Sequence, residues 1–91
     1  MNNDEACRKV RSVLARNLRE QRMKARLSQQ KLADSVGMNR TYLSDLENAN
    51  GNASVDILVK IACGLDIPFL ELFRGVEVIE WYSEHVSSVE S

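Results

Sequence analysis

Apolar residues recur at helical spacing along most of this chain, in segments separated by turn-forming residues. The first segment, residues 7–26, contains neither proline nor glycine, and a mostly apolar stripe bordered by arginines runs along it. The positions of the stripe are Val10, Val13, Leu14, Asn17, Leu18, Gln21 and Ala25. The pattern predicts a first helix that buries one face, preceded by a polar and frayed segment over residues 1–6.

Two shorter helical patterns follow, divided by one break that is centred on a glycine. Gly37 suits the left-handed conformation that ends a helix, and Ser28 and Asn39 suit the caps that begin the two helices. We therefore predict helix 2 over about residues 29–36 and helix 3 over about residues 40–48. Their core-facing apolar residues are Leu32, Ala33 and Val36 in the first, and Met38, Leu43 and Leu46 at the second.

The segment NANGNAS, residues 48–54, is rich in turn-forming residues, and Asn50–Gly51 suits positive φ. Ser54 is placed to cap a fourth helix over about residues 55–65. The apolar face of this helix comprises Val55, Leu58, Ile61, Ala62 and Leu65, and Gly64 lies near its end. Cys63 falls within the same apolar pattern, so we expect its side chain in the core.

Pro68 suits the first position of a fifth helix over residues 68–73, because a missing N–H is tolerated there. The apolar residues that would close the core from this helix are Phe69, Leu72 and Phe73. From Val76 to Val89 the pattern alternates at first as in a strand but also fits helical spacing, and we favour a sixth helix. The expected architecture is all-α, with a five-helix domain over residues 1–74 and an acidic C-terminal extension over residues 75–91.

The length of 91 residues, with 44% hydrophobic and 27% charged residues, is typical of one small globular domain. A domain of this size often gains stability by dimerising. No apolar run approaches the roughly 20 residues of a membrane-spanning helix, and the N-terminus has no secretory signal. We therefore expect a cytoplasmic protein without membrane association.

Charge is strongly segregated, although the formal net charge is only -1. Residues 8–31 carry nine basic side chains against one acidic side chain, Glu20, whereas the chain after Arg74 has four glutamates and no lysine or arginine. Taken alone, such a basic run is typical of a solvated helix face. The alternative is attraction to the phosphates of a nucleic acid, which would require a binding motif elsewhere in the chain.

Candidate catalytic and metal-binding chemistry is sparse. The two cysteines, Cys7 and Cys63, and the one histidine, His85, are too few for a disulfide framework or a four-ligand metal site. We expect Cys7 to be exposed. No nucleophile motif or glycine-rich phosphate loop occurs, so we expect no enzyme activity, cofactor, metal or small-molecule effector.

Several segments together carry a resemblance to a known family. They are LSQQKLA (27–33), the Gly37 turn, NRTYLSDLE (39–47), ILVKIACGLDI (57–67) and ELF (71–73). From about Leu18 to Phe73 the chain resembles the Cro and phage-repressor family of helix-turn-helix proteins, also called XRE. The segment RTYLS also resembles the controller proteins of restriction–modification systems, which are small members of that family.

The resemblance implies that helix 3 reads base edges in the DNA major groove. The positions that match base-facing ones in the family are Arg40, Thr41, Ser44 and Asp45. The planar guanidinium of Arg40 suits guanine O6 and N7, and Asn39 is placed to reach adenine or a phosphate. Asp45 departs from the neutral polar residue of relatives, and either accepts from cytosine N4 or orients Arg40 or Thr41.

Phosphate contacts are expected from side chains that flank helix 3. The resemblance places Gln29, at the start of helix 2, where the side chain and the backbone amide of family members hold a phosphate at a helix N-terminus. Further candidates from the residues themselves are Tyr42, Asn50 and Asn52. For Tyr42, packing against a neighbouring helix with its hydroxyl in water is an equal alternative. The resemblance also implies an internal Arg22–Glu47 pair with a structural role.

One reading helix covers only a few base pairs, so a homodimer on a pseudo-palindromic DNA site is expected. The candidate interface residues are Leu70, Phe73, Val76, Val78 and Trp81. The favoured function is a sequence-specific transcriptional regulator, such as a repressor or controller protein, with double-stranded DNA as its partner. The alternative is a protein-binding adaptor or antitoxin that sequesters a partner through residues 76–91.

Overall fold

The computed structural model describes residues 2–79 of the chain. Within that range it contains helices and no strand, in the order α1 (Asn3–Lys24), α2 (Gln29–Val36), α3 (Arg40–Glu47), α4 (Val55–Leu65) and two 3₁₀ helices (Phe69–Phe73 and Val76–Val78). The predicted all-α fold is confirmed, and the predicted fifth helix is the first 3₁₀ helix. The sixth helix was predicted over residues 76–89; only the short 3₁₀ helix lies within the described residues, and the remainder falls outside them.

Helix α1 begins earlier than its apolar stripe predicts. The Asn2 side chain accepts a hydrogen bond from the backbone N of Glu5 at 2.8 Å, and the acidic Asp4 and Glu5 lie in the first turn. This cap satisfies a free amide, and the carboxylates lie at the positive end of the helix dipole. The expectation of a frayed segment over residues 1–6 was therefore wrong from Asn3 onward.

The next three helices begin with the predicted caps. Ser28 accepts from the backbone N of Lys31, Asn39 from that of Thr41, and Ser54 from that of Ile57. Gly37 closes α2 at φ 70°, which is the left-handed conformation predicted for it. Local side-chain chemistry thus places the break between α2 and α3.

Three other residues adopt positive φ where the sequence did not predict it. Arg26 (φ 59°) follows α1, Ala49 (φ 61°) follows α3, and Asp66 (φ 55°) ends α4. Positive φ in the loop after α3 was predicted at Asn50–Gly51, but it occurs at Ala49. Residues that carry a side chain rarely adopt this backbone conformation. We therefore attribute these three turns to the closure of the fold and not to local preference.

Gly64 lies inside α4 because the neighbouring α2 leaves no room for a side chain. A Cβ atom on Gly64 would lie 2.6 Å from Cγ1 of Val36. Cys63 is exposed, so its predicted core position was wrong. The reason is helical phase: the buried face of α4 comprises Leu58, Ile61, Ala62 and Leu65, and Cys63 is rotated about 200° from Ile61.

One apolar core joins all four α-helices to the first 3₁₀ helix. Its members are Leu14, Leu18, Leu32, Ala33, Leu43, Leu46, Leu58, Ile61, Ala62, Leu65 and Leu72. The buried Asn17 donates through Nδ2 to the carbonyl oxygens of Leu72, at 3.0 Å, and Arg74, at 2.8 Å. These bonds fix the chain after α4 against α1. No helix in the described part of the chain is long and apolar enough to cross a membrane.

Candidate nucleic-acid interface

Helices α2 and α3 form a helix-turn-helix in which α3 turns one face toward solvent. Leu43 and Leu46 of α3 lie in the core. On the remaining surface, Arg40, Thr41 and Asp45 are exposed and Ser44 is half-buried. Spacings of one, four and five residues place these four positions on adjoining parts of the helix surface. The eight residues of α3 span about 12 Å, so the exposed face is long enough to follow base edges in a major groove.

Arg40 is exposed at the beginning of α3. Within residues 2–79 its side chain forms no hydrogen bond or ion pair. The side chain of Asp45 likewise contacts neither Arg40 nor Thr41 by a hydrogen bond or ion pair in that range. The orienting role considered for Asp45 is therefore not observed, and its carboxylate is free to accept from another molecule.

Asn39 already uses its side-chain oxygen to cap α3. Oδ1 accepts from the backbone N of Thr41 at 2.7 Å and from that of Tyr42 at 3.3 Å. A bidentate contact to adenine requires both the oxygen and the amide nitrogen of an asparagine. Only Nδ2 remains for DNA while the cap is intact, so Asn39 is suited to donate one hydrogen bond.

Tyr42 and Asn52, two predicted phosphate-binding residues, are bonded to each other. Tyr42 is half-buried against the core, and its hydroxyl donates to the backbone oxygen of Asn52 at 2.7 Å. Neither alternative considered for the Tyr42 hydroxyl anticipated this bond. Asn52 in turn accepts from Nη1 of Arg11, through its Oδ1, at 3.1 Å. The Arg11 contact could not be predicted from local pattern, because Arg11 is one of nine basic residues in its region and lies 41 positions from Asn52.

Gln29 occupies the first position of α2, where free amides collect. Its backbone N–H and that of Gln30 donate to no acceptor within the described residues, whereas Ser28 caps Lys31. The Gln29 side chain donates through Nε2 to Oε1 of Glu47 at 3.3 Å. The backbone amide is therefore available to an anion, while the side-chain amide is directed toward α3. Asn50 is exposed in the following loop.

Arg22 and Glu47 form the internal pair that the family resemblance implied. Nε and Nη2 of Arg22 lie 2.7 and 2.9 Å from the two carboxylate oxygens of Glu47, and Nη1 donates to the backbone oxygen of Leu27 at 2.7 Å. The side chains are 14% and 3% exposed. One guanidinium therefore fixes α1, the turn before α2 and the last residue of α3 relative to one another.

The candidate dimer residues divide into exposed and packed ones. Leu70 and Val78 are 75% and 79% exposed, the highest values among the exposed large apolar side chains of the described residues. Phe73 is half-buried against the core, and Val76 is half-buried. Trp81 lies outside the described residues. Among residues 2–79, no cluster of histidine, cysteine, aspartate or glutamate could hold a metal ion.

Comparison with known proteins assigns this geometry to one family. A helix-turn-helix family model matches residues 18–72. The control protein C.MunI of Mycoplasma sp is 43% identical over 54 residues, which are 59% of this chain and 73% of that protein. The control protein C.BamHI of Bacillus amyloliquefaciens is 36% identical over 59 residues, which are 64% of this chain and 73% of that protein.

Solved structures show the same relationship. The restriction–modification controller protein C.AhdI from Aeromonas hydrophila matches with a TM-score of 0.68 and 36% sequence identity. The match covers 69% of this chain and 96% of the controller protein. The family-model match over residues 18–72 includes both α2 and α3.

Proposed function

Because this chain belongs to the XRE-type helix-turn-helix family of DNA-binding transcriptional regulators, we propose that it recognises a pseudo-palindromic operator as a homodimer. The observation that carries the proposal is the solvent-facing surface of α3. Its arginine is exposed and has no hydrogen-bond or ion-pair partner among residues 2–79, and its other polar side chains share adjoining positions. These side chains do not contribute to packing of the core, and their arrangement suits a helix that enters a major groove.

Within this proposal, Arg40 reads a guanine through two hydrogen bonds to O6 and N7. Thr41 offers a methyl group to thymine, and Ser44 offers a hydroxyl that is usable on several bases. Asp45 accepts from cytosine N4, since a carboxylate is otherwise repelled by the phosphate backbone. Asn39 donates through Nδ2 to a base or a phosphate.

Phosphate contacts position α3 in the groove. The free backbone amide of Gln29 lies at the positive end of α2, where an anion is favoured. Asn50 and Asn52 extend the phosphate-binding surface into the loop after α3. Tyr42 contributes mainly by holding that loop, because its hydroxyl proton is already donated to Asn52. These contacts supply affinity for any sequence, and the α3 side chains supply discrimination.

Dimerisation is proposed through the surface around the first 3₁₀ helix and the chain beyond it. Leu70 and Val78 present large apolar side chains to solvent, and Phe73 and Val76 flank them. The proposal also includes Trp81 among the interface residues; it treats residues 1–74 as the DNA-binding domain, which contributes Leu70 and Phe73 to the dimer, and residues 75–91 as an extension used for dimerisation. Two copies of α3 about 34 Å apart would read successive major grooves on one side of the DNA.

The proposal is tested by measuring the affinity of the purified protein for a labelled duplex at several salt concentrations. We expect log K to fall linearly with log salt, by about 0.9 per phosphate neutralised. Arg40→Ala should weaken specific binding by about 5- to 150-fold, corresponding to about 1–3 kcal/mol, and relax base preference at one position. Gln29→Pro removes the free backbone amide at a helix position that tolerates proline, so it should weaken binding to all sequences alike.

Lys60→Ala is the matched control, because it removes an exposed positive charge from α4. We expect it to preserve base preference. An affinity for DNA that does not depend on salt would contradict the proposed DNA binding. An Arg40→Ala variant that still distinguishes every base pair of the site would contradict base recognition by Arg40. Binding to a protein partner without binding to DNA would favour the adaptor or antitoxin alternative.

A further inference from the structure

We propose that Arg11 of α1 is a positioning residue for DNA binding, which holds the Asn52 side chain so that its amide group is presented to a phosphate. The inference deepens the proposed function and rests on it. Arg11 lies on α1, outside the helix-turn-helix, and contacts the loop between α3 and α4, residues 48–54. The first half of α1 would thereby adjust DNA affinity without a base contact of its own.

Asn52 is held from two sides by donors of the protein. The Tyr42 hydroxyl donates to its backbone oxygen at 2.7 Å, and Arg11 Nη1 donates to its side-chain Oδ1 at 3.1 Å. A guanidinium can only donate, so it fixes which end of the asparagine amide faces α1. The oxygen faces Arg11, and Nδ2 is directed away from it. That leaves a two-proton donor, which is the group that a phosphate oxygen requires.

Ala53 of this loop packs against the core, but close packing between the loop and α1 is interrupted. A largely apolar hollow of about 350 Å³ separates them and is lined by Val10, Leu14, Ala53, Leu58 and Phe73 among others. Side chains across such a gap lose the dispersion contacts that close packing would give. The Arg11 hydrogen bond spans the rim of the hollow, and the Tyr42 bond fixes the loop from α3. These two bonds therefore order Asn52 before DNA binds, which reduces the entropy lost on binding.

The alternative role for Arg11 is direct contact with a phosphate. The two roles predict different salt dependences. A direct contact releases counterions, so its removal should reduce the salt slope by about 1. A positioning arginine acts through the neutral Asn52, so its removal should weaken binding and leave the slope unchanged. The two roles also differ in whether the effects of changing Arg11 and Asn52 add.

The experiment uses the full chain with Arg11→Met, Asn52→Ala and the double variant. Methionine preserves an unbranched apolar stem and removes the guanidinium. Arg8→Met is the matched control, because it removes an exposed arginine from the preceding turn of α1. We expect Arg11→Met and Asn52→Ala each to weaken DNA binding about fivefold, as expected for one hydrogen bond. The double variant should bind no more than about twofold more weakly than Asn52→Ala, with the wild-type salt slope.

A second measurement without DNA separates this inference from the proposed function. We expect NMR order parameters of the backbone amides of residues 50–53 to fall in Arg11→Met and to remain unchanged in Arg8→Met. If the wild-type protein bound no DNA, the proposed function would fail even where the loop responded as expected. Additive losses with a reduced salt slope, or loop order parameters that do not respond to Arg11→Met, would overturn the positioning role.

Discussion

Replacement of Arg22 by methionine tests whether the buried Arg22–Glu47 ion pair holds α1, α2 and α3 together. The change removes two hydrogen bonds to Glu47 and one to the backbone oxygen of Leu27. With Arg22 in place only 3% of the Glu47 side chain is exposed, so the change leaves its carboxylate at a buried position without its counterion. Its only other side-chain partner among the described residues is Gln29, whose Nε2 lies at 3.3 Å.

The expected loss of stability follows from that geometry. Removal of one partner of a buried ion pair typically costs about 3–5 kcal/mol, because the remaining charge lacks both water and its counterion. The total stability of a small domain is about 5–15 kcal/mol. For a domain of this size, a loss of about 3 kcal/mol lowers Tm by about 12–24 °C. Arg22→Met should therefore remove a large fraction of the stability of the domain.

Urea denaturation followed by circular dichroism gives the free energy of unfolding for each variant. The control is Lys9→Met, which breaks the exposed Lys9–Glu5 pair at 3.8 Å and should cost less than about 1 kcal/mol. The double variant Arg22→Met, Glu47→Leu should recover most of the loss, because it leaves no buried charge unpaired. A loss below about 1 kcal/mol in Arg22→Met, equal to that of the control, would show that the Arg22–Glu47 pair does not hold the three helices together.

Two further changes test the unpredicted backbone positions by the same denaturation measurement. Gly64→Ala places a Cβ atom 2.6 Å from Val36 Cγ1, so we expect the free energy of unfolding to fall by about 1–2 kcal/mol, and the addition of Val36→Ala to relieve this loss. A gain in stability would contradict close contact of α2 and α4. Arg26→Gly relieves the left-handed conformation at φ 59° and should stabilise the protein by about 1 kcal/mol, whereas a loss would show that the arginine side chain stabilises the turn.

Local patterns in the sequence were sufficient to predict most of the helices and the exposed face of α3. Ser28, Gly37, Asn39 and Ser54 mark helix boundaries through hydrogen bonds to residues only a few positions away. Such interactions depend on neighbouring residues and hence can be predicted from them. The apolar periodicity of α3 likewise predicted which of its side chains would be exposed, Arg40 among them.

Features that depend on tertiary packing were not predictable in this way. The Arg11–Asn52 bond joins residues that are 41 positions apart, and nothing in the local pattern distinguishes Arg11 from the other arginines of α1. Ala49 adopts a left-handed conformation although the adjacent Asn50–Gly51 has the stronger intrinsic preference. Cys63 is apolar enough for the core, but the phase of α4 directs it outward.

The most direct test of the account is the selection of bound duplexes from a random-sequence DNA pool by the purified protein at near-physiological salt. We expect enrichment of a two-fold symmetric motif whose half-sites lie about one helical turn apart, with one position in each half-site that loses its preference in Arg40→Ala. The failure of a folded protein to enrich any motif would contradict sequence-specific recognition by α3.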